Sequence, residues 1–175
     1  MAHPLKHYIT ITKHRHRVMY HCFLAGIPVQ GLLHDLSKYS PAEFIPGARY
    51  YLGNRSPNEG ERAALGYSSA WLHHKGRNRH HYEYWMDYSA KTKRMEPIKM
   101  PVKYFKEMFC DRVAASKIYQ GKNYTQAHPL QYFENARPRI IMHPETADML
   151  EKMLVMLRDK GEKETFAYLR KLTDY

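Results

Sequence analysis

Apolar side chains recur every three or four residues along most of the chain, which is the spacing of one face of an α-helix. In the first such stretch, Ile11, Val18 and Ala25 fall on one line. Gly and Pro interrupt the pattern, as they do at helix ends. The predicted helices are 8–26, 41–52, 58–75, 102–120, a shorter one at 130–136, and a pair that starts at 144, divides at Gly161 and ends near Leu172.

The segments between these helices carry few signs of β-structure. Residues 9–12 come closest to strand alternation, but the helical period continues through them. We expect a loop at 54–60, a short helix or irregular turn at 80–89, and a basic loop at 91–101. The sequence therefore predicts an all-α fold, a compact bundle of about six or seven helices.

Length and composition indicate a single globular domain. We expect residues 1–175 to form one domain, with the helices of 144–173 packed on the rest. No apolar run is long enough to cross a membrane, and the first residues lack the pattern of a signal peptide. Cys22 and Cys110 lie in apolar helical stretches without zinc-motif spacing, as buried free thiols do. The expected location is therefore the reducing cytoplasm.

The chain is strongly basic. Lys and Arg outnumber Asp and Glu by 28 to 17, so the formal net charge is +11 and the sequence pI is about 9.6. A protein of this charge attracts anions. A phosphate-bearing metabolite, a nucleotide and a nucleic acid all fit, and charge does not choose between them. We expect an anionic small-molecule substrate, with nucleic acid as an alternative partner; the sequence leaves the oligomeric state open.

Histidine is frequent, with twelve in the chain, and several accompany an inward-facing aspartate. Asp111 falls in mid-helix among apolar residues, where burying an unpaired carboxylate is strongly unfavourable unless a cation lies beside it. Imidazole and carboxylate ligands suit Mn²⁺, Fe²⁺, Co²⁺, Ni²⁺ or Zn²⁺, and Mg²⁺ is also compatible. The candidates for a site with one or two ions are His14, His34, Asp35, His74, His80, His81 and Asp111, while His73 is expected at the surface.

Four segments, taken in order, carry a family resemblance. His14 is followed at the fourth position by Val18, HDLSK starts at His34, HHKGRNRHHYEYW follows, and FCDRVAASK contains Asp111. These segments are similar to the motifs of the HD-domain metal-dependent phosphohydrolase superfamily. Ser37 replaces the usual Gly of the HD-x-G-K motif, whereas its Lys is kept. The resemblance covers about residues 13–117.

The resemblance implies a phosphohydrolase that acts on a nucleotide or another phosphoester through metal-activated water. Asp35 would bridge the ions if there are two, and Lys38 would bind a phosphate as a point charge. The implied metal ligands are His14, His34, Asp35, His74, His80 and Asp111; the catalytic candidates are Asp35 and Lys38; and the candidate substrate contacts are Lys38, Arg77, Arg79 and His81.

Spacing leaves some of these assignments open. His21 lies on the same helix face as His14. Because His14 fits the first motif of the family that the chain resembles, we expect His14 to be the ligand and His21 to belong to the core. His80 and His81 are adjacent, so spacing does not separate them. Glu43 has the position of a helix-capping residue, with a role as a site acid as the alternative.

Two other functions fit the same sequence. Some HD-type proteins hold a di-iron centre and oxidise their substrate with O₂, and the abundance of histidine permits this. Alternatively, the chain is a basic binding module for nucleic acid or an acidic protein, with a vestigial site. The basic runs at 13–17 and 91–94 and the interleaved Tyr and Arg favour that hypothesis, but the basic residues are spread over the chain.

Overall fold

The computed structural model describes residues 2–175, which form a bundle of eight α-helices with one small antiparallel hairpin. About 70% of the chain is helical, which confirms the expected all-α fold class. The helices are α1 (Pro4–Leu24), α2 (Pro28–Leu33), α3 (Pro41–Arg49), α4 (Pro57–Leu65), α5 (Ser69–Lys75), α6 (Val102–Gln120), α7 (His128–Ala136) and α8 (Pro144–Lys171), and the strands are β1 (Met86–Ser89) and β2 (Arg94–Pro97).

The helix count exceeds the predicted six or seven because the stretch 58–75 is divided and because α2 was not predicted as a helix. Gly66 has φ 81°, a left-handed conformation that ends α4. The hydroxyl of Ser68 then accepts a hydrogen bond from the backbone N–H of Trp71 and caps a new helix, α5. The predicted loop at 54–60 is shorter than expected, since α4 already begins at Pro57.

The hairpin was not predicted. The expected turn at 80–89 continues into β1, and the expected basic loop at 91–101 contains β2, with Asp87 opposite Glu96. Each strand has four residues, and their side chains are exposed or only partly buried. No apolar alternation therefore marks them in the sequence.

The core lies where α1, α6 and α8 meet. α6 spans the predicted 102–120, and the stripe of Phe105, Phe109 and Val113 is fully buried. α8 turns sharply at Gly161, with φ 80° and ψ 173°, and its last part returns to the bundle. There Phe166 packs on Phe109, with ring centroids 5.8 Å apart. Within residues 2–175, no helix has the length and apolar character that crossing a bilayer requires.

Candidate metal centre

An abrupt change of backbone direction brings His34 and Asp35 to the interior. α2 ends at Leu33, His34 is extended, and Asp35 adopts a left-handed conformation with φ 54° and ψ 24°. A non-glycine residue held there costs about 1–3 kcal/mol, and such strain concentrates at functional sites. Arg15 donates from Nε to the carbonyl oxygen of His34 at 3.2 Å. Both His34 and Asp35 are 1% exposed.

The first group of ligand atoms joins α1, the His34-Asp35 pair and α6. His14 Nε2 lies 2.9 Å from Asp111 Oδ1 and 3.8 Å from Asp35 Oδ2. His34 Nε2 lies 3.2 Å from Asp35 Oδ2 and 3.7 Å from Asp111 Oδ1. The ligand atoms of these four residues all lie within 4.8 Å of one another, so one ion could contact all four.

The second group is on the other side of Asp35. His74 Nε2 lies 3.3 Å from Asp35 Oδ1, and His80 Nε2 lies 3.5 Å from the same oxygen. His81 completes the group, with its Nε2 2.8 Å from His74 Nε2. Asp35 thus directs Oδ2 to the first group and Oδ1 to the second, which is the arrangement of a bridging carboxylate.

Several atoms that face this centre lack a conventional partner. Buried polar atoms are normally hydrogen-bonded, and leaving one unsatisfied costs about 1–3 kcal/mol. Their convergence on one place is explained by a cation, which would accept the lone pairs of all of them. Among residues 2–175, the buried and unpaired atoms at the centre are His14 Nε2, His34 Nε2, Asp35 Oδ1 and His80 Nε2.

Two glutamates orient the imidazoles from outside. Glu107 Oε1 lies 2.9 Å from His34 Nδ1 and 3.0 Å from His80 Nδ1. Glu43 lies 2.7 Å from His74 Nδ1 and also 2.7 Å from His73 Nδ1. An ionised carboxylate only accepts hydrogen bonds, so each Nδ1 carries a proton, and in the neutral ring the lone pair is then on Nε2. This carboxylate–histidine arrangement is usual around bound metals.

The electrostatics of the cluster favour positive charge at its centre. Burial lowers the pKa of His34, but Asp35, Glu107 and Asp111 outweigh it and raise that pKa to about 10. The pKa values of Asp35 and Asp111 lie well below the usual range despite burial, chiefly because of His34 and His14 respectively. Burial lowers the pKa of His14. The carboxylates are thus ionised and available to a cation, which competes with imidazole protons.

Lys38 lies at the edge of the centre, on the short 3₁₀ turn Leu36–Tyr39. Its Nζ is 2.5 Å from Asp35 Oδ2, and the side chain is 30% exposed. Burial lowers the pKa of Lys38, but Asp35 and then Asp111 outweigh it and raise that pKa above the ordinary value. Asp111 is also partly open to solvent, with 17% of its side chain exposed. A ligand that reaches the centre from solvent can therefore meet both side chains.

Arg77 and Arg79, the two arginines predicted to contact substrate, contact groups outside the centre. The Arg79 guanidinium lies 5.6 Å from the Tyr84 ring and donates to the Tyr104 hydroxyl at 3.2 Å. Arg77 is exposed and donates to the backbone carbonyl of His73 at 3.4 Å. Across residues 2–175, neither arginine forms an ion pair with the carboxylates of the centre.

The structure shows where the histidines that spacing left open are placed. His14 belongs to the first group, whereas His21 is fully buried and donates from Nδ1 to the carbonyl oxygen of Cys110 at 3.3 Å. His80 and His81 both belong to the second group. His73, expected at the surface, is only partly exposed because it bonds Glu43.

Two expectations about supporting residues were wrong or incomplete. The capping role of Glu43 was wrong, because no side chain caps α3 and the Glu43 carboxylate bonds histidines. Glu107 was not identified. It lies four residues before Asp111 in α6, and therefore one turn away on the same helix face. That spacing is the signal that could have revealed it.

The fold and the site define an all-α protein with a buried His/Asp/Glu centre that could hold metal ions. A family model matches residues 3–156, so the chain belongs to that family, DUF5662, a family of unknown function. The match includes every residue of the centre, from His14 to Asp111, and ends before Gly161. No curated protein and no solved structure matches the chain.

Proposed function

We propose that this protein is a metal-dependent phosphohydrolase with two ions at the centre. The observation that carries the proposal is the position of Asp35, whose two carboxylate oxygens face two separate sets of imidazole nitrogens. A bridging carboxylate between two such sets is typical of two-metal hydrolytic sites. The order of the motifs, which is similar to that of HD-domain phosphohydrolases, supports the same class.

In this proposal each ion has its own ligands. His14, His34 and Asp111 would hold the first ion, His74, His80 and His81 would hold the second, and Asp35 would be shared by both. Nitrogen and oxygen ligands without thiolate suit Mn²⁺, Fe²⁺, Co²⁺, Ni²⁺ or Zn²⁺. Divalent ions at such a site polarise a phosphoryl oxygen and lower the pKa of coordinated water toward neutrality.

The protein's own side chains bind and orient the substrate. Lys38, whose ammonium group is partly exposed beside Asp35, is placed to pair with a phosphate oxygen. The net charge of +11 attracts an anionic substrate over longer distances. We propose a nucleotide or another small phosphoester as the substrate class. Arg77 and Arg79, which contact other groups, are assigned no role in this proposal.

The test combines metal analysis with a substrate panel. Purified protein loaded with Mn²⁺ is assayed for phosphate release from nucleotides and other phosphoesters. We expect release that a chelator abolishes. Asp35→Asn should lower kcat/KM at least about 100-fold, because it removes the ligand that both ions share. Asp87→Asn, an exposed aspartate on β1, is the matched control and should retain activity.

Three outcomes would contradict the proposal. Metal-loaded protein that cleaves no member of a broad panel would refute phosphoester hydrolysis. Oxygen consumption by the iron form, absent with manganese, would indicate a di-iron oxygenase with the same ligands. Salt-dependent nucleic-acid binding that Asp35→Asn leaves intact, in the absence of hydrolysis, would indicate a binding module.

A further inference from the structure

A single oxygen atom of Glu107 contacts one histidine from each ligand group. Its Oε1 lies 2.9 Å from His34 Nδ1 and 3.0 Å from His80 Nδ1, and the two imidazole rings are 4.4 Å apart, centroid to centroid. The Glu107 side chain is 8% exposed, so water does not compete strongly for this oxygen. His34 faces the first group through Nε2, and His80 faces the second in the same way.

This sharing fixes the same tautomer in both rings. A carboxylate oxygen accepts a hydrogen bond from each Nδ1–H, so the lone pair of each neutral ring is on Nε2. Both Nε2 atoms are buried and have no hydrogen-bond partner in residues 2–175, and both point toward the centre. Without Glu107, each ring would be free to place its proton on Nε2 instead, where it would exclude a metal ion.

We propose that Glu107 is a positioning residue that couples the two metal sites, so that one carboxylate sets the affinity of both. This inference rests on the proposed two-ion centre. Outer carboxylates that bond a metal-ligating histidine typically change metal affinity or activity by about 10–100-fold when they are replaced. Because Glu107 serves His34 and His80 together, its loss weakens both sites.

Glu43 provides the matched comparison. It also bonds two histidines, but only His74 belongs to a ligand group, since His73 lies outside both. The two glutamates therefore resemble each other in chemistry and differ in how many metal sites they support. Replacing Glu43 should weaken the second site and leave the first one near its wild-type affinity.

The experiment is a titration of metal-free protein with Co²⁺. Calorimetry and the visible absorption of the bound ion monitor the binding. We expect wild type to bind two ions. Glu107→Gln should raise both dissociation constants about 10–100-fold and change the absorption of both ions. Glu43→Gln should raise only one constant. Circular dichroism of the metal-free variants is the folding control, and Glu107→Asp, which is too short to reach both rings, replaces Glu107→Gln if that variant does not fold.

Each of the alternative results would refute a specific part of the proposal. Two unchanged constants in Glu107→Gln, or a change at only one site, would refute the coupling while leaving the hydrolase proposal standing. A single ion bound by wild type would refute the coupling and the two-ion centre. If wild type binds no ion, the proposed function fails together with this inference.

Discussion

At the scale of single residues, Asp35 combines a strained backbone conformation with a carboxylate whose two oxygens both contact residues of the centre. Its left-handed φ of 54° follows directly on the extended His34, and its two oxygens face different ligand groups. A regular helix would direct neighbouring side chains about 100° apart. The kinked path instead lets two consecutive residues reach the same centre.

Away from the centre, His21 has a pKa that differs between the folded and the unfolded chain. Burial, together with the nearby Lys117 ammonium, lowers its pKa from 6.5 to about 3. Nδ1 donates to the carbonyl oxygen of Cys110, and Lys117 Nζ lies 3.5 Å from Nε2. A protonated ring would place two positive groups side by side. The folded protein therefore keeps His21 neutral where the unfolded chain protonates it.

This difference predicts a loss of stability in acid. Between about pH 6.5 and pH 3 the unfolded state binds a proton that the folded state does not, so the free energy of unfolding falls as pH falls. His21→Gln removes that contribution, and its stability should decline about 2 kcal/mol less between pH 7 and pH 5. Urea denaturation in the presence of chelator measures this. His16→Gln, at an exposed position of α1, should follow wild type; equal losses in all three proteins would contradict the prediction.

The sequence was sufficient to identify the candidate metal ligands, but not the residues that hydrogen-bond to them. Histidine and a mid-helix aspartate are conspicuous because they are unusual in apolar surroundings, and the structure brings those candidates together. Glu107 was missed because a glutamate in a helix is normally solvated, and only tertiary packing buries it. The surroundings of Arg79 could not be predicted either, because spacing does not show that Tyr84 and Tyr104 pack against its guanidinium.

At the scale of elements, the close contact of α1 with α2 determines where the His34-Asp35 pair lies. Gly31 in α2 faces α1 so closely that an added Cβ would lie 2.8 Å from Cys22 Cβ and 3.2 Å from Met19 Cα. Real side chains do not approach so near. The absence of a side chain at Gly31 therefore permits the approach that puts His34, three residues later, over α6.

Gly31→Ala should accordingly move α2 away from α1. We expect a loss of about 1–3 kcal/mol in the free energy of unfolding, as for overpacked cores. Metal affinity should fall as well, because His34 and Asp35 follow directly. Denaturation and metal titration measure the two effects. Gly76→Ala is the control, since Gly76 has φ −73° and its added Cβ would have no contact nearer than 3.4 Å; equal behaviour of both variants would refute the role of Gly31.

Element boundaries show what local sequence can and cannot specify. The bounds of α6 match the prediction because an apolar stripe with a terminal glycine defines it. The break between α4 and α5 was missed, since Tyr67 and Trp71 continue the helical spacing across Gly66. At that point the left-handed conformation of Gly66 ends one helix and the Ser68 cap begins the next, although the apolar spacing continues.

At the scale of the whole molecule, a cation bound at the centre should add to the stability of the fold. Asp35, Asp111 and Glu107 are ionised and buried, and in the metal-free protein the neighbouring histidines, with Lys38 beside Asp35, offset the cost of their desolvation. A metal ion that binds only the folded state adds about 2.7 kcal/mol per site at a hundredfold excess over Kd.

Metal removal should therefore lower the melting temperature. For a domain of this size we expect a decrease of about 5–10 °C per occupied site when excess metal is replaced by chelator. Differential scanning calorimetry measures it. Asp35→Asn, which lacks the shared ligand, should melt at nearly the same temperature with and without metal. A metal-independent melting temperature in wild type would show that the centre does not hold ions in the folded protein.

The all-α class was predictable because helical spacing recurs over most of the chain. The packing of distant helices was not, since no local pattern states that α1, α5 and α6 converge on one place. The candidate ligands come from residues 14–111, and only the folded arrangement shows that Asp35 lies between two groups and not at the edge of one.

The return of α8 after Gly161 has a consequence for biosynthesis. The ribosome releases residues 162–171 after all the helices that they cover, yet Phe166 and Leu169 are among the core side chains. The surface around His21 and Phe109 thus stays open in the nascent chain until that segment emerges. The bundle consequently completes its core only after residues 162–171 have left the ribosome, and a chain stalled before Gly161 presents an apolar surface to chaperones.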